Sequence, residues 1–316
     1  MVDLALGLVD EGVSVEFVTG IFHKFWREEL SKAENNITLK EIGKAAQGNV
    51  AFWMRVKGFA RELSRLINPK TDVILTSGFP SSLSAEMFSK RCDVKVVHYL
   101  HEAPMVLHDE LGIRELPLRF RMFYRFLSAL YAEDDFKAVR RSDMIIANSR
   151  LSRRANAKTY CVEESQIRVV YPGVNVERMT PISTPPEIIK RYGKREVPII
   201  FFPKGAQFWM NQDVCLMALR RIRVGDYVAV FTGGKGQEVA SLFKKSRTLG
   251  LEDKIIWVGE LTEEELRSIY SHSSLVVSLP KRQPFGLIPL EALACGVPPI
   301  ISSQSGVAEV LRENVD

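Results

Sequence analysis

Gln283-Pro-Phe-Gly-Leu-Ile-Pro-Leu-Glu291-Ala-Leu-Ala-Cys-Gly296-Val-Pro298 reads as a loop, a short helix and a stop. Pro284 and Gly286 lie in the loop, an apolar run follows, and Gly296 and Pro298 close it. A Gly near the C-cap with a Pro beyond it is a helix-end signal. Pro289 fits only in the first turn, where its missing N–H costs little. The N–H groups of Gly286, Leu287 and Ile288 can then point out of the helix start, where free donors and the helix dipole favour an anion. Glu291 lies just past that first turn, within reach of a hydroxyl-bearing ligand. Phosphate at a helix end and hydroxyls on a carboxylate suit a sugar nucleotide. Spacing alone favours the plainer reading, a helix packed on a sheet with an ordinary surface Glu.

Outward from this block the chain alternates. Pro198–Phe202, Tyr227–Thr232, Lys254–Val258, Ser274–Ser278 and Pro298–Ile301 have strand character, with helical stretches between them. Upstream, Asp3–Asp10 is an amphipathic helix stopped at Gly12, and Val13–Thr19 alternates as a strand. Ala51–Ile67 is helical and ends at Asn68-Pro69. Asp72–Thr76, Lys95–Tyr99 and Asp143–Ala147 are short apolar strands, and Leu116–Leu130 is helical. Strands separated by helices indicate parallel α/β sheets. Pro172, Pro181, Pro185, Pro186 and Pro198 punctuate the stretch between the two series, which also holds a short helix near Glu187–Tyr192. The expected organisation is a first domain over 1–175, a linker over 176–198 and a second domain over 199–316.

The 316 residues suffice for two cores. A hydrophobic content of 46% and a charged content of 26% are ordinary for a soluble protein. No run approaches the about 20 apolar residues of a membrane span, and the start lacks the features of a signal peptide. Cys92, Cys161, Cys215 and Cys295 are scattered, so they read as reduced core residues, not a zinc site. The net charge of +5 suits an anionic substrate or membrane surface better than nucleic acid.

Further stretches join the opening block. Leu261–Tyr270 precedes it and Ser305-Gly306-Val-Ala-Glu309-Val310 follows. Tyr171-Pro-Gly-Val-Asn175, Asp143–Ser149 and Tyr99-Leu-His101-Glu-Ala-Pro104 stand upstream in order. Together they resemble retaining glycosyltransferases of the GT-B fold, family 4. The resemblance implies two Rossmann-like parallel-sheet domains facing each other, with the donor between them, mainly on 199–316. Measured against that family, both ends look incomplete: the chain opens inside the first helix, without the strand and glycine-rich loop before it, and stops before the last helix. A missing interior strand would leave unpaired backbone groups in the first sheet.

The resemblance also implies roles. Glu291 matches the ribose-binding carboxylate, and Phe285, Gly286 and Leu287 match the loop that meets the diphosphate and donor sugar. His101 matches a sugar-contacting histidine, at the carboxyl end of a strand where open α/β sheets bind ligands. Gln283 stands where the family has a Glu beside the donor sugar. It can bond a hydroxyl but cannot offset positive charge in the transition state. Lys204 stands for an Arg that neutralises the diphosphate, while Trp209 or Met210 falls where a Lys is expected. Lys lacks Arg's bidentate fork.

Other groups read as structural. Lys281, Arg282 and Lys235 are solvated charges unless they replace the absent cation. His98 and His108 are structural histidines, and with His101 they form no helix-spaced metal site. Asp134-Asp135 reads as a solvated pair in a charged helix. Arg119–Leu127 mixes basic and aromatic residues, as a core-packed helix or as one lying on an anionic membrane.

The sequence thus predicts a metal-independent, cofactor-free hexosyltransferase using a nucleotide-diphosphate sugar and a glycan or lipid-linked hydroxyl acceptor. It would be cytoplasmic, with peripheral contact to the inner membrane face. The rival readings are a catalytically degenerate sugar-nucleotide-binding or scaffold protein of the same fold, and a GT-B epimerase, for which no acid/base carboxylates stand out.

Overall fold

The computed structural model describes residues 2–22, 24–31, 36–43, 50–108, 114, 118–187, 197–204, 210–223, 225–233 and 237–312. The chain divides into two compact units, Met1–Val170 and Tyr171–Asp316.

In the first unit, the Val2–Asp10 helix turns at Gly12, whose φ is +82°, into β1 (Val15–Thr19). β1 pairs in parallel with β2 (Ile37–Glu41), Val15 opposite Ile37. A separate four-stranded parallel sheet has the order β3 (Val73–Thr76), β4 (Lys95–Leu100), β5 (Met144–Ala147), β6 (Ile167–Val169). Among the described residues β1 bonds only to β2, and β3 only to β4. Both strands line a cavity of about 1010 Å³ with the apolar side chains of Ala5, Leu8, Phe17, Ile67 and Ile74. Among the described residues the first unit therefore carries two sheets where one was expected, because none of their backbone ladders crosses this cavity. Polar ties hold β1–β2 to its neighbours. Lys40 Nζ donates to Leu66 O (2.9 Å) and pairs with Glu16 (2.6 Å), whose other oxygen accepts from Asn68 N (2.9 Å). Leu100, Val139, Ile145, Ala147 and Tyr160 pack one core beside the larger sheet, and Val56, Leu107, Leu127 and Tyr131 another.

The second unit holds one five-stranded parallel sheet. Its order is β11 (Pro299–Ile301), β10 (Leu275–Ser278), β7 (Ile199–Phe202), β8 (Val228–Thr232), β9 (Ile255–Val258). Val228–Phe231 is buried throughout, as a strand covered on both faces must be. The five expected strands of this unit all form, each one residue shorter at its start. Phe201, Val230, Val276, Ile269, Ile288 and Ala292 form its main core, where each fully buried large apolar side chain contributes about 1.5–3 kcal/mol. From β7 the chain builds outward through β8 and β9, then returns to the other side of β7 for β10 and β11. That reversal puts a topological switch point between β7 and β10, and open parallel sheets bind ligands at the carboxyl ends of the strands there.

Part of the Pro-rich stretch lies on the second unit. Met179 is buried in its core, Ser271 Oγ accepts from Ile182 N (3.1 Å), and Ser268 Oγ donates to Thr184 O (2.7 Å). The helix expected near Glu187–Tyr192 falls mostly outside the described residues.

Candidate active site

Two loops meet at the switch point of the second unit. The loop after β7 carries Lys204, exposed and with φ +60°; the loop after β10 carries Gln283–Leu287. Asn211 ties the two sides, its Nδ2 donating to Leu279 O at 2.8 Å. Met210 is buried in the core, so it offers no group to a ligand. Trp209 and Lys235 lie outside the described residues. Lys281 and Arg282 are exposed beside the loop.

The Gln283–Leu287 loop is fixed by its backbone. Gln283 N donates to Gln304 O (3.3 Å), Gly306 N to Gln283 O (3.0 Å) and Val307 N to Phe285 O (3.1 Å). Ser305 Oγ also donates to Phe285 O, and the Phe285 ring is buried 6.1 Å from Tyr171. Phe285 thus anchors the loop. Gly286 has φ +97°, and a Cβ there would lie 2.8 Å from Gln283 Oε1, because the Gln283 carboxamide folds over it. Only glycine takes that backbone without strain. Among the described residues the N–H groups of Gly286 and Leu287 find no acceptor.

The helix Ile288–Ala294 follows, with Pro289 in its first turn. It ends as expected at Gly296, whose φ is +76°; Gly296 N bonds Leu293 O and Val297 N bonds Ala292 O, both at 2.9 Å. Glu291 is half-buried on this helix, and Tyr270 OH donates to its Oε2 at 2.8 Å. Tyr270 belongs to the Glu263–His272 helix, which a Thr262/Glu265 capping box starts.

In the first unit His101 follows β4, and Asn148 follows β5. Asn148 Nδ2 lies 3.1 Å from His101 Nδ1, and the Tyr99 ring stands edge-on with its centroid 4.9 Å away. The residue is exposed, but desolvation by the atoms around the ring lowers the imidazole pKa below its ordinary value. The lowered pKa favours the neutral imidazole. With Nδ1 accepting from Asn148, it carries its proton on Nε2 as a donor.

The other histidines are structural. His98 is buried between Thr76 and Ala138 O, and burial lowers its pKa. Asp135 departs from expectation. It is 1% exposed, and its carboxylate accepts from Ser82 Oγ (3.0 Å), Tyr160 OH (2.9 Å) and His108 Nε2 (2.8 Å). A buried carboxylate persists where donors surround it like this. Asp134 pairs with Lys57 at 2.6 Å. Cys161 is exposed, Cys92 half-buried, and only Cys215 and Cys295 lie in the core. Among the described residues no three His, Cys, Asp or Glu side chains gather as metal ligands.

The helix Leu118–Arg140 is longer than expected. Leu127, Tyr131, Asp135, Ala138 and Val139 face inward. Leu118, Met122, Phe126 and Leu130, one helical turn apart, are exposed together with Phe120 and Arg125. The outward face is thus apolar as well as basic, contrary to a plain core-packed helix. No helix among the described residues is long and apolar enough to cross a membrane.

Two family models match the sequence. The one described as Glycosyltransferase Family 4 covers residues 1–178, and the one described as Glycosyl transferases group 1 covers residues 185–316. The D-inositol 3-phosphate glycosyltransferase of Xylanimonas cellulosilytica is 24% identical over 254 residues, 78% of this chain and 58% of that protein. The mannosylfructose-phosphate synthase of Agrobacterium fabrum is 26% identical over 181 residues, 53% of this chain and 39% of that protein. The chain spans about half the length of the curated relatives it matches. Among solved structures, a glycosyltransferase from Rickettsia africae superimposes with a TM-score of 0.70 at 18% identity, over 99% of this chain and 77% of that one. Anabaena Alr3699/HepE, solved with UDP and glucose, gives 0.68 at 17% identity, over 99% and 79%. At these identities the likeness establishes the fold, and it is the GT-B fold.

Proposed function

The chain belongs to glycosyltransferase family 4, and from that premise we propose that it moves a hexose from a nucleotide-diphosphate sugar to a hydroxyl acceptor. The transfer retains anomeric configuration and needs no metal. The observation that carries this reading is the switch-point loop of the second unit. There, the Gly286 and Leu287 N–H groups, without an acceptor among the described residues, stand one helical turn from the Glu291 carboxylate. Solved neighbours hold UDP with glucose and UDP-glucose, which supports a sugar nucleotide as the donor.

In this reading Glu291 accepts hydrogen bonds from ribose hydroxyls. The Gly286 and Leu287 N–H groups meet the diphosphate, in a loop that Phe285 anchors, and Lys204 supplies positive charge to the departing diphosphate. The bond from the anomeric carbon to the diphosphate oxygen breaks, and its electron pair leaves with the diphosphate. The acceptor oxygen bonds that carbon on the same face, and its proton passes to the departing diphosphate oxygen. Gln283 holds a sugar hydroxyl, and in the first unit His101 presents its Nε2 as a donor.

A degenerate binder is the second reading, favoured by two observations. Position 283 carries a neutral amide, and of Trp209 and Met210, one of which falls where the family resemblance leads one to expect a cation, Met210 lies in the core. Transfer rates at saturating donor separate the readings. Gln283→Glu places a carboxylate where positive charge develops, so it should raise turnover more than donor affinity. A tenfold gain requires only about 1.4 kcal/mol. If Gln283→Ala equals the wild type and Gln283→Glu gains nothing, position 283 is a bystander and the binder reading prevails.

The exposed stripe Leu118, Met122, Phe126 and Leu130 beside Arg125 supports peripheral contact with an anionic membrane face, as a lipid-linked acceptor would require. The chain should co-sediment with phosphatidylglycerol vesicles and much less with phosphatidylcholine ones. Replacing Met122 and Phe126 by Ser should remove most of that binding; equal sedimentation with both lipids would refute an electrostatic contact.

A further inference from the structure

Tyr270 lies 21 positions before Glu291 in sequence, yet its hydroxyl donates to Glu291 Oε2 at 2.8 Å. The residue is fully buried. Its ring meets Phe201 edge-on at 5.1 Å, in the centre of the sheet core. A tyrosine held this way cannot follow a wandering carboxylate. The carboxylate must come to it, and doing so fixes the Glu291 rotamer. Burial, then the adjacent Glu291 charge, raises the phenol pKa well above its ordinary value, so the hydroxyl stays a donor throughout the working range. Oε1 of Glu291 has no partner among the described residues.

We infer that Tyr270 is the positioning residue of the donor site: it clamps one oxygen of Glu291 so that the other stands ready for a pair of ribose hydroxyls. The inference rests on the reading of Glu291 as a hydroxyl acceptor. Its consequence is selectivity. A carboxylate already oriented loses less rotamer freedom when it binds a diol, whereas one that has lost its clamp is a poorer partner for the same diol. A nucleotide lacking the hydroxyls gains nothing from the clamp in either case.

The test compares UDP with 2′,3′-dideoxy-UDP by calorimetry on the wild type, Tyr270→Phe and Glu291→Ala. Tyr270→Phe keeps the ring against Phe201 and removes only the donor. It should weaken UDP about five- to tenfold and leave the dideoxy nucleotide within twofold. In the Glu291→Ala background the same change should have no further effect on UDP. Thermal denaturation confirms that each variant folds. If Tyr270→Phe weakens both nucleotides equally, Tyr270 is only a packing residue and the inference is overturned. If Glu291→Ala separates the two nucleotides while Tyr270→Phe does not, the clamp is wrong and the ribose reading stands. If neither variant separates them, or the wild type binds no UDP, the ribose reading itself fails and the inference with it.

Discussion

Glu291→Ala should weaken UDP binding by about 10- to 150-fold, the loss of a hydrogen bond to a charged group worth about 1.5–3 kcal/mol. The change strips the donor site of its carboxylate and leaves Tyr270 OH, fully buried and bonded at 2.8 Å in the intact protein, without its acceptor. An orphaned buried donor costs about 1–3 kcal/mol of stability, so the variant should also melt earlier. Glu291→Gln separates the two effects, because a carboxamide oxygen can still accept from Tyr270 while the charge is gone. Calorimetric titration with UDP measures the first effect and thermal denaturation the second. Unchanged UDP affinity in Glu291→Ala would remove the chief support for a nucleotide-sugar site.

Gly286→Ala should be comparably damaging for a different reason. The backbone at φ +97° is strained for any side chain, and the new Cβ would meet Gln283 Oε1 at 2.8 Å and Cδ at 2.9 Å. The carboxamide is the far end of a flexible side chain and can swing away; the backbone cannot. Strain of this kind costs about 1–3 kcal/mol, or about 2–10 °C in Tm for a unit of this size. If the loop relaxes to a negative φ instead, the Gly286 and Leu287 N–H groups turn away, and UDP affinity should fall about tenfold or more. Gly286→Ala combined with Gln283→Ala relieves the collision but not the strain, so it should recover only part of the loss. A single variant with wild-type Tm and affinity would mean that the loop accepts a side chain without shifting.

The second unit was the more legible half, and the reason is local. Its strands are short apolar runs, Val228–Phe231 buried throughout, and Gly and Pro mark both ends of the Ile288–Ala294 helix. Strands β2 and β6 were overlooked. Ile37–Glu41 holds only two strongly apolar residues and Ile167–Val169 is three residues long, so neither carries a period of its own. Asp135 was misjudged because charged neighbours surround it in sequence. The signal was there: it follows the buried Leu127 and Tyr131 at intervals of four, which puts it on the inward face of its helix. The Tyr270–Glu291 and Asn148–His101 contacts were out of reach, because each joins residues on different elements and no sequence period reports such a meeting.

The separation of β1–β2 from the larger sheet also decides how the first unit comes apart. A two-stranded pair has little stability of its own, and part of what holds it is electrostatic. Glu16 and Lys40, with side chains 17% and 33% exposed, supply the ion pair and the bonds to Leu66 and Asn68. Salt screens partly buried charges such as these less than exposed ones. The pair should therefore open as a cooperative piece of its own, its amide protons exchanging through that opening before the unit as a whole unfolds.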